Sequence, residues 1–490
     1  MNSETSFTLD RFAASCLIDG RWRQAQSGSS IEMVSPSDGR VFARIAAGGA
    51  SEVDAAVKAA RTAFETGPWS TMTATERGRL LMGLARLIEI EAESLAQVEA
   101  CDTGKPLSQA RADMVATARY FEFYGAAADK VHGETIPFLA GYQVHTQREP
   151  YGVTAHIIPW NYPAQMFGRT LAPSLAMGNT VVLKPAEEAC LAPLRLAEMA
   201  MEAGFPNGVI NVVTGEGSVA GAALSEHPDV NFLSFTGSPE VGVLIQCAAA
   251  RNHVGCTLEL GGKSPQIVFE DADLEAALPI LIGAIVQNGG QTCSAGSRVL
   301  IQESIATTLI ERLTERFAAL VAGSHDEDRD LGPLISARQQ QRVQGFIDRA
   351  EAASVPLLAR GTISTKAGDG GFFVAPALFG PVREDCELAG DEVFGPVLTC
   401  LTFTDEADAL RIANGTDYGL VAGIWSRDAG RQARVAKKLR CGQVFQNGFG
   451  AGGGVELPFG GVGKSGHGRE KGFAALHEFS QLKTVVLQHG

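Results

Sequence analysis

The stretch VNFLSFTGSPEVG, residues 230 to 242, reads as a buried strand that turns directly into a helix. Val230 to Phe235 is short, apolar and flanked by turn residues. Gly237, Ser238 and Pro239 then follow in the order of a turn, an N-cap and a first helical residue. Such a junction leaves open amides and a helix dipole facing any anion that sits there. Outward from it the alternation repeats. Val181-Val182-Leu183 and Val209 to Val213 are further strands, and Leu194, Ala197 and Met201 recur at helical spacing between them. Leu80, Leu81, Leu84, Leu87 and Ile88 do the same nearer the N-terminus. Strand and helix alternating from about 153 to 250 predict a parallel sheet covered by helices on both faces. A second alternation, from about Gln266 to Phe445, starts after the glycine-rich joint ELGGKSP and predicts a second α/β unit. The glycine cluster FGAGGGVE, residues 449 to 456, reads as a mobile loop.

Bulk properties narrow the function. A chain of 490 residues is too long for one core. With 41 basic and 55 acidic residues, a net charge of −14 and no basic block, it offers no footprint for nucleic acid or an anionic membrane. No apolar run is long enough to span a bilayer, and MNSETSFTLD lacks the basic start and apolar stretch of a leader, so a cytoplasmic location is expected. The nine cysteines are odd in number, scattered and without a CxxC pair, which argues against a disulfide framework and against a metal site.

Four stretches carry candidate chemistry. In NGGQTCSAGS, residues 288 to 297, Cys293 sits among tiny neighbours that leave backbone amides open and give a substrate room to reach sulfur. The same stretch also suits a cysteine buried in a tight turn. In TLELGGKSP, residues 257 to 265, Glu259 lies between apolar residues, where burial would raise its pKa toward that of a general base. A structural hydrogen-bond role fits it as well. In IIPWNYP, residues 157 to 163, the amide of Asn161 could donate to a developing oxyanion or simply form a turn. NTVVLKPAEE, residues 179 to 188, puts Lys184 and Glu187 at the carboxyl edge of a parallel strand, where open α/β sheets bind ligands, although both also suit an exposed loop.

Taken in order, LIDGRW, PWNYP, FTGSPEVG, LELGGKSP, GQTC, GPLIS, EVFGPV, PFGG and SGHGRE resemble the NAD(P)-dependent aldehyde dehydrogenases over nearly the whole chain. The resemblance implies two Rossmann-like parallel-sheet domains and a small bridging β element. Residues 1–131 and 151–258 would bind NAD, 259–470 would form the catalytic domain, and 132–150 with 471–490 would join subunits into a homodimer or homotetramer. It implies Cys293 as nucleophile, Glu259 as the base for the deacylating water, and Asn161 as an oxyanion donor together with the Cys293 N–H. It implies a cofactor site of Trp160, Lys184, Glu187, Gly237, Ser238, Gly242, Glu392 and Phe394. Lys184 would meet the adenosine ribose, Ser238 the pyrophosphate, and Glu392 the other ribose, with Phe394 beside the nicotinamide. Glu187 would favour NAD, with NADP still possible, because a 2′-phosphate there meets like charge.

A helix starting at Tyr162 would put Tyr162, Gln165, Met166 and Arg169 on one stripe, the face that in this family lines the aldehyde tunnel. Many members carry tryptophan where Arg169 stands. Its fork suits a substrate carboxylate, as in succinic semialdehyde enzymes, or pairs with a carboxylate elsewhere in the protein. Gln287 stands where semialdehyde enzymes place a second arginine, which weighs against that substrate. Phe445, Phe449 and the glycines after them predict a wide or flexible entrance that admits aromatic or longer aldehydes. Two other chemistries share the cysteine. A CoA-acylating member would commonly lack Glu259, and a cysteine hydrolase would need a histidine partner for Cys293 that no motif supplies.

Overall fold

The computed structural model describes residues 15–450 and 454–490, so residues 451–453 of the glycine cluster and the N-terminal stretch read above lie outside the described residues. The strand at the opening stretch is Phe232–Thr236, buried along its whole length, and the helix after it is Pro239–Arg251. Ser238 caps that helix, its Oγ accepting from the Val241 N–H at 3.4 Å. Val230 falls outside the strand because its N–H donates to His227 O in a turn.

Five parallel strands form the centre of the first sheet, in the spatial order Ile210–Val212, Thr180–Lys184, Val153–Ile157, Phe232–Thr236, Gly255–Glu259. The chain order therefore reverses between Val153–Ile157 and Phe232–Thr236, and a crevice opens beyond the carboxyl ends of strands at such a point. The antiparallel pair Ser15–Ile18 and Arg21–Gln24 closes one edge. The other edge is closed by Gly466–His467, which returns from far along the chain to pair with Gly255–Glu259. Helices cover both faces. Leu81, Phe121, Phe167 and Leu194 pack on one side, from helices Ala74–Ile90, Leu107–Ala127, Pro163–Ala176 and Leu191–Glu202. Val53, Val57 and Ile245 pack on the other. Two-sided cover explains why these strands are apolar runs and not alternating ones.

A second sheet holds six parallel strands, Ala377–Phe379, Val397–Phe403, Arg298–Gln302, Pro265–Val268, Val421–Trp425 and Gln443–Gln446, with Leu357–Arg360 antiparallel at one edge. A third, three-stranded antiparallel sheet is built from Thr135–Ile136, Tyr142–Pro150 and Ser480–Gln488. The described architecture is thus α/β with two parallel sheets and a small separate β element. Among the described residues no helix is long and apolar enough to cross a membrane.

Candidate active site

A cavity of about 660 Å³ lies at the crevice where the first sheet reverses its order. Trp160 and Asn161 reach it from the loop after Val153–Ile157, and Gly237 and Ser238 from the junction after Phe232–Thr236. Glu259, the last residue of its strand, and Cys293 complete the wall.

The loop carrying Cys293 owes its shape to the glycines before it. Asn288, Gly289 and Gly290 all have positive φ, at 51°, 63° and 74°. A Cβ on Gly290 would stand 2.1 Å from the carbonyl oxygen of Gly395, so no side chain fits there. Asn161 joins this loop to the first sheet: its Nδ2 donates to Gln291 O at 2.8 Å, while its own carbonyl accepts from Asn288 Nδ2 at 2.8 Å and Lys105 Nζ at 3.1 Å. Cys293 packs against the cluster of Leu420, Val421 and Phe459. Burial pushes its thiol up to about 12, with Arg169 opposing and Glu259 and Glu392 adding to the rise.

Glu259 is 1% exposed, and burial followed by the neighbouring Glu470 raises its carboxyl well above the ordinary range. This is the direction a general base near neutral pH requires. Arg169 faces both carboxylates. Of the two roles the sequence left open, the structure gives it the internal ion pair: Nε lies 2.5 Å from Glu470 Oε2, and one Nη lies 3.6 Å from Glu259 Oε2. Its guanidinium also stacks over Phe459, 4.3 Å from the ring centroid. One nitrogen of the fork is thus set against a protein carboxylate, while the Nη facing Glu259 makes no hydrogen bond. Glu470 belongs to the SGHGRE motif, but nothing local in that motif marks it as facing Glu259. Lys471, beside it, has φ +64° and lines the cavity, and burial draws its amine down to about 7.

Tyr162 is the N-cap of helix Pro163–Ala176, and Tyr162, Gln165, Met166 and Arg169 all line the cavity as the helical stripe predicts. The Tyr162 hydroxyl bonds Thr292 Oγ1 at 2.8 Å, and Gln165 Nε2 donates to Asp113 Oδ1 at 2.6 Å. Phe449 lines the mouth with its ring centroid 5.7 Å from that of Phe445.

The residues expected at a dinucleotide divide into two groups. Trp160, Gly237, Ser238, Glu392 and Phe394 line the cavity. Phe394 meets Trp160 edge to face, with centroids 5.4 Å apart. Glu392 Oε1 accepts the Gly262 N–H at 2.8 Å, and burial raises that carboxyl to about 7. Lys184 and Glu187 do not line the cavity. They pair with each other at 2.5 Å at the end of the neighbouring strand, and Glu187 Oε1 accepts the Gly217 N–H at 3.2 Å. Gly242 does not line it either: a Cβ there would stand 2.8 Å from Leu260 Cδ2, so it allows the helix to approach Leu260.

Residues 22–485 match the profile of the aldehyde dehydrogenase family. An aldehyde dehydrogenase of Arabidopsis thaliana, family 2 member B4, mitochondrial, is 42% identical over 96% of this chain and 87% of its own. A crystal structure from Burkholderia cenocepacia is 58% identical, with a TM-score of 0.97 over 97% of this chain and 100% of that one. The NAD+ complex of an aldehyde dehydrogenase from Bacillus cereus is 38% identical, with a TM-score of 0.96 over 100% of both chains. The chain belongs to the aldehyde dehydrogenase family, whose members are oxidoreductases that act on aldehydes.

Proposed function

We propose that this protein oxidises an aldehyde to the carboxylic acid with NAD, through a thiohemiacetal and then a thioester on Cys293. One observation carries the reading: Cys293, Glu259 and Asn161 line a single cavity at the crevice of a parallel sheet. The Cys293 thiol gives its proton to solvent and the thiolate adds to the carbonyl carbon, while Asn161 donates its second amide N–H to the oxygen that becomes negative. NAD, when bound, supplies the two-electron acceptor that converts the thiohemiacetal to the thioester. Glu259 then takes a proton from the water that releases the acid. A base at this place supports hydrolysis over transfer to the thiol of CoA.

Five residues on the cavity wall, Trp160, Gly237, Ser238, Glu392 and Phe394, would hold the nicotinamide and pyrophosphate part. Lys184 and Glu187 would hold the adenosine ribose one strand further on, and Gly242 would keep the helix close to the sheet. The bound NAD+ of the Bacillus cereus relative supports this cofactor, and the Glu187 carboxylate supports NAD over NADP.

The aldehyde would be aromatic or otherwise apolar. Met166, Tyr162, Phe445, Phe449 and Phe459 supply apolar wall, and the pairing of Arg169 with Glu470 favours this class over the alternative, a carboxylate-bearing semialdehyde. Residues 1–131 and 151–258 would serve as the cofactor unit and 259–470 as the catalytic unit, with 132–150 and 471–490 joining subunits. Support for a homodimer or homotetramer comes from Ser480–Gln488, an edge strand with exposed Leu482, Val486 and Leu487. A cytoplasmic location fits nine free cysteines.

NADH formation from a panel of aromatic aldehydes, short semialdehydes and betaine aldehyde, without CoA, tests the reading. Aromatic aldehydes should give a higher kcat/KM than succinic semialdehyde, and Cys293→Ser should remove turnover. Wild-type turnover in Cys293→Ser, or no NADH from any aldehyde, would defeat it.

A further inference from the structure

Glu259 and Arg169 line the cavity and Glu470 lies against Arg169, with at most 9% of any of the three side chains exposed. Two like charges at such a place ionise together only if a cation faces both. The guanidinium does so unequally, at 2.5 Å from Glu470 and 3.6 Å from Glu259. The Arg169 guanidinium stacks on Phe459, which belongs to the cluster that Cys293 packs against. No hydrogen bond is made by either oxygen of Glu259 or Glu470, or by Nε and one Nη of Arg169, so the guanidinium acts on both carboxylates by charge and the Glu259 oxygens remain able to accept a proton.

We propose that Arg169, anchored by Glu470 and Phe459, is a positioning residue for the hydrolytic half of the reaction: it keeps Glu259 ionised without occupying the oxygens that accept the proton. The proposal rests on Glu259 being the base. In that step a water oxygen bonds to the acyl carbon, Glu259 takes one water proton, and the carbon–sulfur bond breaks to leave the Cys293 thiolate. The charged and titratable groups facing Glu259 are Arg169 from helix Pro163–Ala176, Glu470, Arg469 and Lys471 after Gly466–His467, and the Cys293 thiol. Burial, then Glu470, pushes the Glu259 carboxyl up, and Arg169 is the largest influence pulling it down.

The full-length protein with NAD and benzaldehyde provides the test. Acyl-enzyme formation is followed as NADH in a single turnover, and its decay by intact mass after acid quench, across pH. Arg169→Met should slow acyl-enzyme formation, because Arg169 also opposes the rise of the Cys293 thiol, but slow decay further, by about tenfold more at neutral pH, a fraction of the roughly 10²–10⁴ due to a whole general base. Its acid limb for decay should move to higher pH, and that of Glu470→Gln to lower pH. A purely structural role would not move the two limbs in opposite directions. Unmoved limbs, limbs moving the same way, or formation and decay slowing in proportion would overturn the proposal. If Arg169→Met does not fold, Glu470→Gln decides alone, and a limb that fails to move to lower pH overturns it. Wild-type decay in Glu259→Gln would sink the base reading and this proposal together, whereas unmoved limbs beside a slow Glu259→Gln sink only this proposal.

Discussion

The side-chain amide of Asn161 donates to the backbone carbonyl of Gln291 at 2.8 Å, which ties the loop after Val153–Ile157 to the loop that carries Cys293. One amide N–H is thereby engaged in holding the two loops together, and the other remains for an oxyanion. Asn161→Asp keeps the shape and replaces donors by acceptors. Turnover should fall about 10²–10³-fold, the usual worth of one such donor. A steady-state loss below about tenfold would remove Asn161 from that role.

Burial and then Glu470 hold the Glu259 carboxyl high. The base is the ionised form, present above that pKa, so the rate should fall on the acid side well above the pH at which an ordinary glutamate, near about 4.3, would titrate. For stability the sign is reversed. A carboxyl whose folded pKa is raised contributes stability below its unfolded pKa and loses it as pH rises through the folded value. Glu259→Gln should therefore lose the acid limb and most of the rate, yet melt at a higher temperature than wild type at alkaline pH. A lower apparent Tm there would contradict the raised pKa.

Gly290 has φ 74°, and an added Cβ would meet the Gly395 oxygen at 2.1 Å. Gly290→Ala should cost about 1–3 kcal/mol from backbone conformation alone, with the clash in addition. Thermal unfolding should show a lower apparent Tm, and turnover should fall because the loop displaced is the one bearing Cys293. Wild-type melting would mean that the loop has another conformation.

Glu187 pairs with Lys184 at the end of strand Thr180–Lys184. Glu187→Ser removes the negative charge that a 2′-phosphate would meet and frees the lysine for it. The ratio of kcat/KM for NADP to that for NAD should rise by about tenfold, which corresponds to roughly 1.4 kcal/mol. An unchanged ratio would place cofactor choice elsewhere.

Local pattern made much of the framework readable in advance. A strand that must be apolar on both faces, a serine that caps and a proline that starts a helix are each set by neighbours in the chain, so Phe232–Thr236, Ser238 and Pro239–Arg251 fell within a residue or two of where the letters put them. The helical stripe of Tyr162, Gln165, Met166 and Arg169 was legible for the same reason.

Periodicity and turn chemistry act over a few residues, so the alternation of strand and helix, the family motifs and the residue types on the cavity wall could be read from the order of the letters. Tertiary structure alone decided that Glu470 pairs with Arg169, that Gly466–His467 closes the edge beside Glu259, and that Lys184 and Glu187 stand apart from the main cavity. Those outcomes depend on which side chains meet when distant segments come together. A charge in a linear sequence carries no mark of the partner that folding brings to it.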